Sequence, residues 1–246
     1  SQSIAFPIVL LNAAVAEAIG EITTALKAEL KKTKKVDDAV LKVVRPIFKD
    51  TAAVRFEGNN YSEDWVKEAA KRGLLNLRRT PEALAQLVTK QSRKLLTSLG
   101  ILNDTELDSR YHVRLERYIK DMLIELHTMR EIVDTFVLPA AFDYSGGLAA
   151  SAAQAKAAGI KSIPQVEAAN SIGTLIADLQ KHRKALGAVI DKAEGMHDDL
   201  AKQAQLLTSA GADAMAGARA CCDALEVAVS DECWPLPKYR EMLFPV

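Results

Sequence analysis

Residues 103–136 read NDTELDSRYHVRLERYIKDMLIELHTMREIVDTF. The apolar positions Leu107, Tyr111, Leu115, Tyr118, Met122, Leu126, Met129, Val133 and Phe136 recur three or four apart, which lays one stripe along one helix face. Asn103 and Glu106 form a capping box, in which each side chain accepts the other's backbone N–H and starts the helix. A helix of about thirty-five residues rises roughly 50 Å at 1.5 Å per residue. Such a rod is held only by other long helices beside it, because isolated helices are marginal in water.

Those partners follow in the chain. After Pro139 an alanine-rich segment continues to Ala158 and ends at Gly159, and Ser162-Ile163-Pro164-Gln165 opens another helix. Ile172, Leu175, Leu179, His182, Leu186, Val189, Ala193 and Met196 alternate three and four apart, the period of coiled-coil-like packing. A break at Glu194-Gly195 returns the chain antiparallel from Asp198 to about Val229. Leu200, Leu207, Ala214, Cys221, Ala224 and Ala228 then offer mostly small residues for close helix approach.

Working outward toward the N-terminus, a helix from Pro7 to Lys32 is expected to bury Val9, Leu10, Val15, Ala18, Ile19, Ile22 and Leu26. Lys27, Lys31, Lys32, Lys34 and Lys35 form a solvated end that complements the helix dipole. Asp37 and Asp38 begin a second helix to Lys49, which Pro46 should end or bend early. Residues 55–84, RFEGNNYSEDWVKEAAKRGLLNLRRTPEAL, are a helix–loop–helix. Gly58-Asn59-Asn60 is turn chemistry, and Ser62 caps a helix from Glu63 to Arg72. Gly73 closes that helix, and Thr80-Pro81-Glu82 starts the next. The expected fold is all-α: a long antiparallel helical bundle over residues 101–246, preceded over residues 1–100 by shorter helices and the helix–loop–helix.

Composition excludes several function classes. The chain has 246 residues, 49% of them hydrophobic, which is ample for a core, and only 5% aromatic. Thirty-two basic residues balance thirty-two acidic ones, so no net field selects nucleic acid or an anionic membrane. Cys221, Cys222 and Cys233 match neither a disulfide framework nor a metal-ligand spacing, and a cytoplasmic, reduced protein is expected. Residues 4–19 lack a basic leader and are interrupted by Asn12 and Glu17, unlike a signal peptide. No uninterrupted run reaches the ~18 apolar residues of a membrane span.

The chemistry-bearing residues read mostly as structure. Glu194-Gly195-Met196-His197 is a single Glu-x-x-His, whereas a di-iron bundle needs two with two further glutamates. Asp178 with His182, His127 with Glu131, and His112 with Glu116 are helical i,i+4 pairs of the kind that make surface ion pairs. No phosphate-binding GxxxxGK[ST] is present, and Gly146-Gly147 is a lone pair. Arg78-Arg79 beside Thr80-Pro81 reads as surface or subunit contact rather than an anion site. Cys221-Cys222 lies in an apolar stripe, with only Arg219 near to depress a thiol pKa. Trp65 is an anchor rather than a stacking platform.

Four separated stretches, in order, resemble the C-terminal region of type III glutamine synthetases, the large-subunit bacterial form of the ATP-dependent glutamate–ammonia ligase. They are Ser1-Gln2-Ser3-Ile4-Ala5-Phe6-Pro7 with residues 10–18, the passage 55–84, residues 117–122 through 138–141, and Trp234 through Phe244. The resemblance implies a parent enzyme that makes glutamine from glutamate, ammonia and ATP through γ-glutamyl phosphate, with ATP and Mg2+ or Mn2+ as cofactors, in a homo-oligomer of stacked rings. It also implies that the metal carboxylates, the ammonium site and the phosphate-binding arginines precede Ser1. No catalytic, cofactor-binding or metal-ligating residue is therefore carried onto this chain, and the isolated chain is expected to be inactive. Its implied partners are the upstream catalytic domain and other subunits, with no nucleic acid or membrane. The rival expectation is an independent helical adaptor, which an in-frame catalytic domain upstream would exclude.

Overall fold

A computed structural model describes residues 4–243, the side chains of Tyr239 and Arg240 excepted. Ser1, Gln2, Ser3 and Phe244, quoted above for the resemblance, lie outside the described residues. Among the described residues every regular element is helical and no strand occurs. The chain divides into two compact units, Ser1–Val113 and Arg114–Val246.

In the first unit α1 (Ala5–Leu30) and α2 (Val36–Asp50) pack together, and α1 also meets α5 (Lys90–Ser98). Pro46 does not end α2, which continues four residues beyond it. Proline costs the helix one donor to the Lys42 carbonyl, and both residues are exposed, so water can take that carbonyl. Between α2 and α5 come α3 (Glu63–Lys71) and α4 (Thr80–Ala85). Ser62 caps α3 by accepting the Trp65 N–H at 3.4 Å, and Gly73 leaves it with φ 74°, the left-handed turn a side chain disfavours. Arg79, not Thr80, is the N-cap of α4, so the proline falls one position deeper in the first turn than the sequence suggests. The core of this unit gathers Ala13, Leu87, Leu96, Leu102 and Leu107, with Phe6, Leu10 and Leu84 packed against it.

The helix α6 (Asp104–Ile132) begins with the expected capping box: the Asn103 N–H donates to Glu106 Oε2 at 2.9 Å and the Glu106 N–H to Asn103 Oδ1 at 2.8 Å. It does not stop at Pro139. One wide π-turn, Val133–Val137, leads directly into α7 (Leu138–Ala157). Proline offers no N–H to the ladder, and a π-turn re-registers the bonds around such a gap. The extra residue also rotates the stripe, so that Val137 is buried in full while Phe136 is 42% exposed.

In the second unit α7 turns at Gly159 (φ 76°) into α8 (Pro164–Glu194), which packs along it. The break at Gly195 leads to α9 (Leu200–Leu206), a second π-turn at Leu207–Gly211, and α10 (Ala212–Ala228). Asp199 caps α9 through the Lys202 N–H at 3.0 Å. Cross-links fix the direction of the helices: His127 meets Glu194 and Asp134 meets Arg183, so α8 runs antiparallel to the rod. The core is Leu115, Leu126, Val133, Ile172, Leu179, Leu186, Ile190, Leu207, Ala218 and Leu225. Ala228, expected inside, is exposed at the helix end. A short helix, α11 (Tyr239–Leu243), closes the described chain.

Candidate functional site

The connector at residues 55–84 is held by local contacts. Trp65 stacks on Phe56 with centroids 4.5 Å apart, and Arg72 lies 5.7 Å from the Trp65 ring. The Arg72 guanidinium donates to Glu68 at 2.8 Å and to the Arg55 carbonyl at 2.7 Å. Arg55 in turn donates to the Phe48 carbonyl at 2.5 Å and covers that ring at 3.4 Å. Gly58 is needed because a Cβ there would stand 2.9 Å from the Phe56 ring. Arg55, Phe56, Trp65 and Arg72 are thus engaged in closing the passage, with Trp65 as an anchor, while Tyr61 stands fully exposed. Arg78 and Arg79 are exposed, and Arg79 makes no side-chain cap to the six-residue α4.

The histidine pairs read along the sequence are redistributed by packing. His127 joins Glu194 on α8 at 2.8 Å instead of Glu131, and receives Arg130 at its Nδ1 at 3.2 Å. Glu194 is therefore separated in role from His197, which follows the helix break and is exposed. His182 lies over Gly217 of α10. His112 stands edge-on to Tyr111 with centroids 5.4 Å apart. No group of three or more metal-ligating side chains occurs among the described residues.

The strongest electrostatic features are long-range and were not singled out from the sequence. Arg93 on α5 grips Asp108 with two donors and Asp104 at 3.0 Å, and its guanidinium holds the Asp108 carboxyl below the usual carboxylate range. Arg183 meets Asp134 as a fork, Nε to Oδ1 at 2.5 Å and Nη2 to Oδ2 at 2.8 Å, and lowers that carboxyl in the same way. Tyr118 and Thr208 share a hydrogen bond between α6 and the second π-turn. These pairs align helices, and each uses up its own charge. Burial pushes the Cys222 thiol up to about 11 and raises that of Cys221, so neither is a thiolate at neutral pH.

The largest departure from the sequence reading lies on α1 and α2. Of the residues expected inside, Val9, Val15, Ala18, Ile19 and Ile22 are exposed and Leu10 and Leu26 half-buried, while Ala13, which was not among them, is buried. Leu11 is 67% exposed, Val15 57% and Ile19 59%, and Val36, Val40, Val44 and Phe48 continue an exposed apolar row on α2. These spacings of four describe a helix face made for burial that the described residues of this unit leave uncovered. By length and composition alone α1, with mean hydropathy 1.6, is also apolar enough to cross a membrane.

Comparison with known proteins gives the family. Residues 39–156 match the family described as glutamine synthetase C-terminal domain. The chain belongs to the C-terminal region of the glutamine synthetases. A type-3 glutamine synthetase of Dictyostelium discoideum is 33% identical over 254 residues, which covers 99% of this chain and 34% of that protein. A glutamine synthetase of Bacteroides fragilis (strain YCH46) is 29% identical over 250 residues, with the same coverage of 99% and 34%. One from Butyrivibrio fibrisolvens is 31% identical over 84% of this chain and 30% of its own length. The chain spans about a third of the length of these relatives.

Proposed function

We propose that this chain is the structural and assembly portion of a type III glutamine synthetase, whose upstream part joins glutamate, ammonia and ATP into glutamine through γ-glutamyl phosphate. ATP and Mg2+ or Mn2+ bind in that upstream part, and the enzyme is a cytoplasmic homo-oligomer. Residues 1–100 supply the closing helices of the catalytic domain together with the connector. The bundle over residues 101–246 makes contacts between subunits, and the isolated chain has no ligase activity.

The observation that carries this reading is the exposed row on α1 and α2. Leu11, Val15 and Ile19 each leave more than half their surface in water. A fully buried side chain of this class contributes about 1.5–3 kcal/mol, so a row of them in water marks a missing neighbour. Protein surface is favoured over lipid because α2, which completes the row, carries Asp37, Asp38, Lys42, Arg45 and Lys49. The test is an ATP- and glutamate-dependent ammonia-consumption assay of this chain beside the protein with its upstream part restored. Activity is expected only in the longer protein, and turnover by the isolated chain would overturn the reading. In the longer protein, Leu11→Glu with Ile19→Glu should cost both activity and assembly.

A further inference from the structure

Tyr61 is 100% exposed, and it stands at the tip of a turn that local bonds hold in place. Its N–H donates to Asn59 Oδ1 at 3.0 Å, and the Ser62 hydroxyl donates to the Asn59 carbonyl at 2.8 Å. Beneath the tip the Phe56–Trp65 stack, with Gly58 against the Phe56 ring, joins the two sides of the turn. An aromatic side chain left wholly in water forgoes the transfer free energy of a large ring. Tyrosine is also among the residues that carry the energy of protein contacts, and a tip ordered before contact loses little further freedom on docking. The stack, the Ser62 cap and the Arg72 bonds thus present one ring rather than bury it.

A second observation says what the ring meets. The base of the turn is fastened to the end of the exposed row on α2: Arg55 covers the Phe48 ring at 3.4 Å, and Arg72 donates to the Arg55 carbonyl at 2.7 Å. Phe48 and Val54, on either side of that joint, are each 61% exposed. A neighbour that covers the row therefore stands beside the turn. The chain covers only 34% of two of its relatives, which leaves polypeptide enough for both contacts. Glu57, Glu63 and Asp64, all exposed, flank Tyr61, while Arg55 and Arg72 are held at the base of the turn. A receiving surface complementary to those carboxylates is basic.

We infer that Tyr61 is the docking residue of the connector: its ring enters a cleft in the upstream part of the longer polypeptide, apolar within and basic at the rim, where Glu57, Glu63 and Asp64 are met. This contact rests on the proposed function and names one place where the two parts of that enzyme join.

The test compares acetylation by N-acetylimidazole, mapped to Tyr61 by mass spectrometry, in the 246-residue chain and in the protein with its upstream part restored. Tyr61 should react readily in the shorter chain and lose that reactivity in the longer protein. Glu57→Lys lies outside every helix; it should leave the circular dichroism unaltered and restore part of the reactivity. With p-benzoylphenylalanine in place of Tyr61, irradiation should join position 61 to the upstream part. Equal reactivity of Tyr61 in the two proteins, or a cross-link confined to residues 1–246 of the same or a second copy, would overturn the inference. No response to Glu57→Lys would overturn the basic rim. Ammonia consumption by the longer protein is measured on the same sample. An active enzyme whose Tyr61 still reacts removes this contact alone; an inactive one with Tyr61 protected and cross-linked upstream removes the ligase reading and leaves the contact standing.

Discussion

Gly217 offers the sharpest check on how the bundle is packed. A Cβ built there would stand 2.2 Å from His182 Cε1 and 2.3 Å from Nδ1, far inside van der Waals contact. Two opposing effects set the outcome of Gly217→Ala. Alanine improves on glycine in a helix interior by about 1 kcal/mol. Displacing a packed ring costs about 1–3 kcal/mol. The half-buried His182 can swing outward but loses its bed on α10, so the net expectation is a loss of about 1 kcal/mol. In a His182→Ala background the obstruction is gone, and the same change should gain about 1 kcal/mol. The coupling between the two sites is then about 2 kcal/mol.

Urea unfolding read by Trp234 fluorescence in a Trp65→Phe chain reports on the second unit, and an unchanged slope with urea shows that only stability has moved. Gly211→Ala is the control. Its Cβ would meet Leu126 Cδ1 at 3.6 Å and Val189 Cγ1 at 3.7 Å, ordinary contacts, so it should be neutral or stabilising. Equal destabilisation by Gly217→Ala with and without His182 would refute the reasoning.

Three further outcomes follow from the geometry. Leu186→Ala, at a side chain with no exposed surface, should cost about 2–5 kcal/mol in the same unfolding assay; a loss well under 1 kcal/mol would mean that α8 is not held as described. Asp134 has its folded pKa depressed by Arg183, so its contribution is present above the unfolded carboxylate pKa of about 4 and lost as pH falls through the lower folded value. Urea midpoints between pH 7 and 3 should fall less steeply for Asp134→Asn than for the parent, by no more than about 1 kcal/mol for so exposed a pair, and superimposable profiles would remove the pair from the stability of the bundle. Tyr118→Phe deprives Thr208, which is 3% exposed, of its partner, and about 1 kcal/mol should be lost; no change would show that Thr208 finds another acceptor.

What could be read in the sequence was what chain neighbours decide. The Asn103–Glu106 box, the Ser62 cap, Gly73, Gly159 and the break at Gly195 each depend on contacts within a few residues, and the structure places each where the sequence puts it. The misplacements share another cause. Pro46 was expected to end or bend its helix early and the long stripe was taken only to Phe136, yet a helix tolerates a proline's missing donor when the freed carbonyl has water or a π-turn re-registers the bonds. A π-turn leaves no mark in hydrophobic period except a one-residue slip, which is why Phe136 was expected inside and Val137 is found there. The clamps Arg93–Asp108 and Arg183–Asp134 join residues 15 and 49 positions apart, beyond the reach of any pattern of three and four.

The row on α1 exposes a different limit. Periodicity states that a face is to be buried; it does not state by what. The reading of Val9, Val15, Ile19 and Ile22 as core assigned their partner to this chain, and the fold leaves them in water. The relatives are about three times as long as this chain, and under the proposed function the partner of that face lies in the additional length. The same limit shows in the polar groups: His127 is engaged across to α8, Trp65 in a stack and Arg72 within the connector, partners that no helical period names.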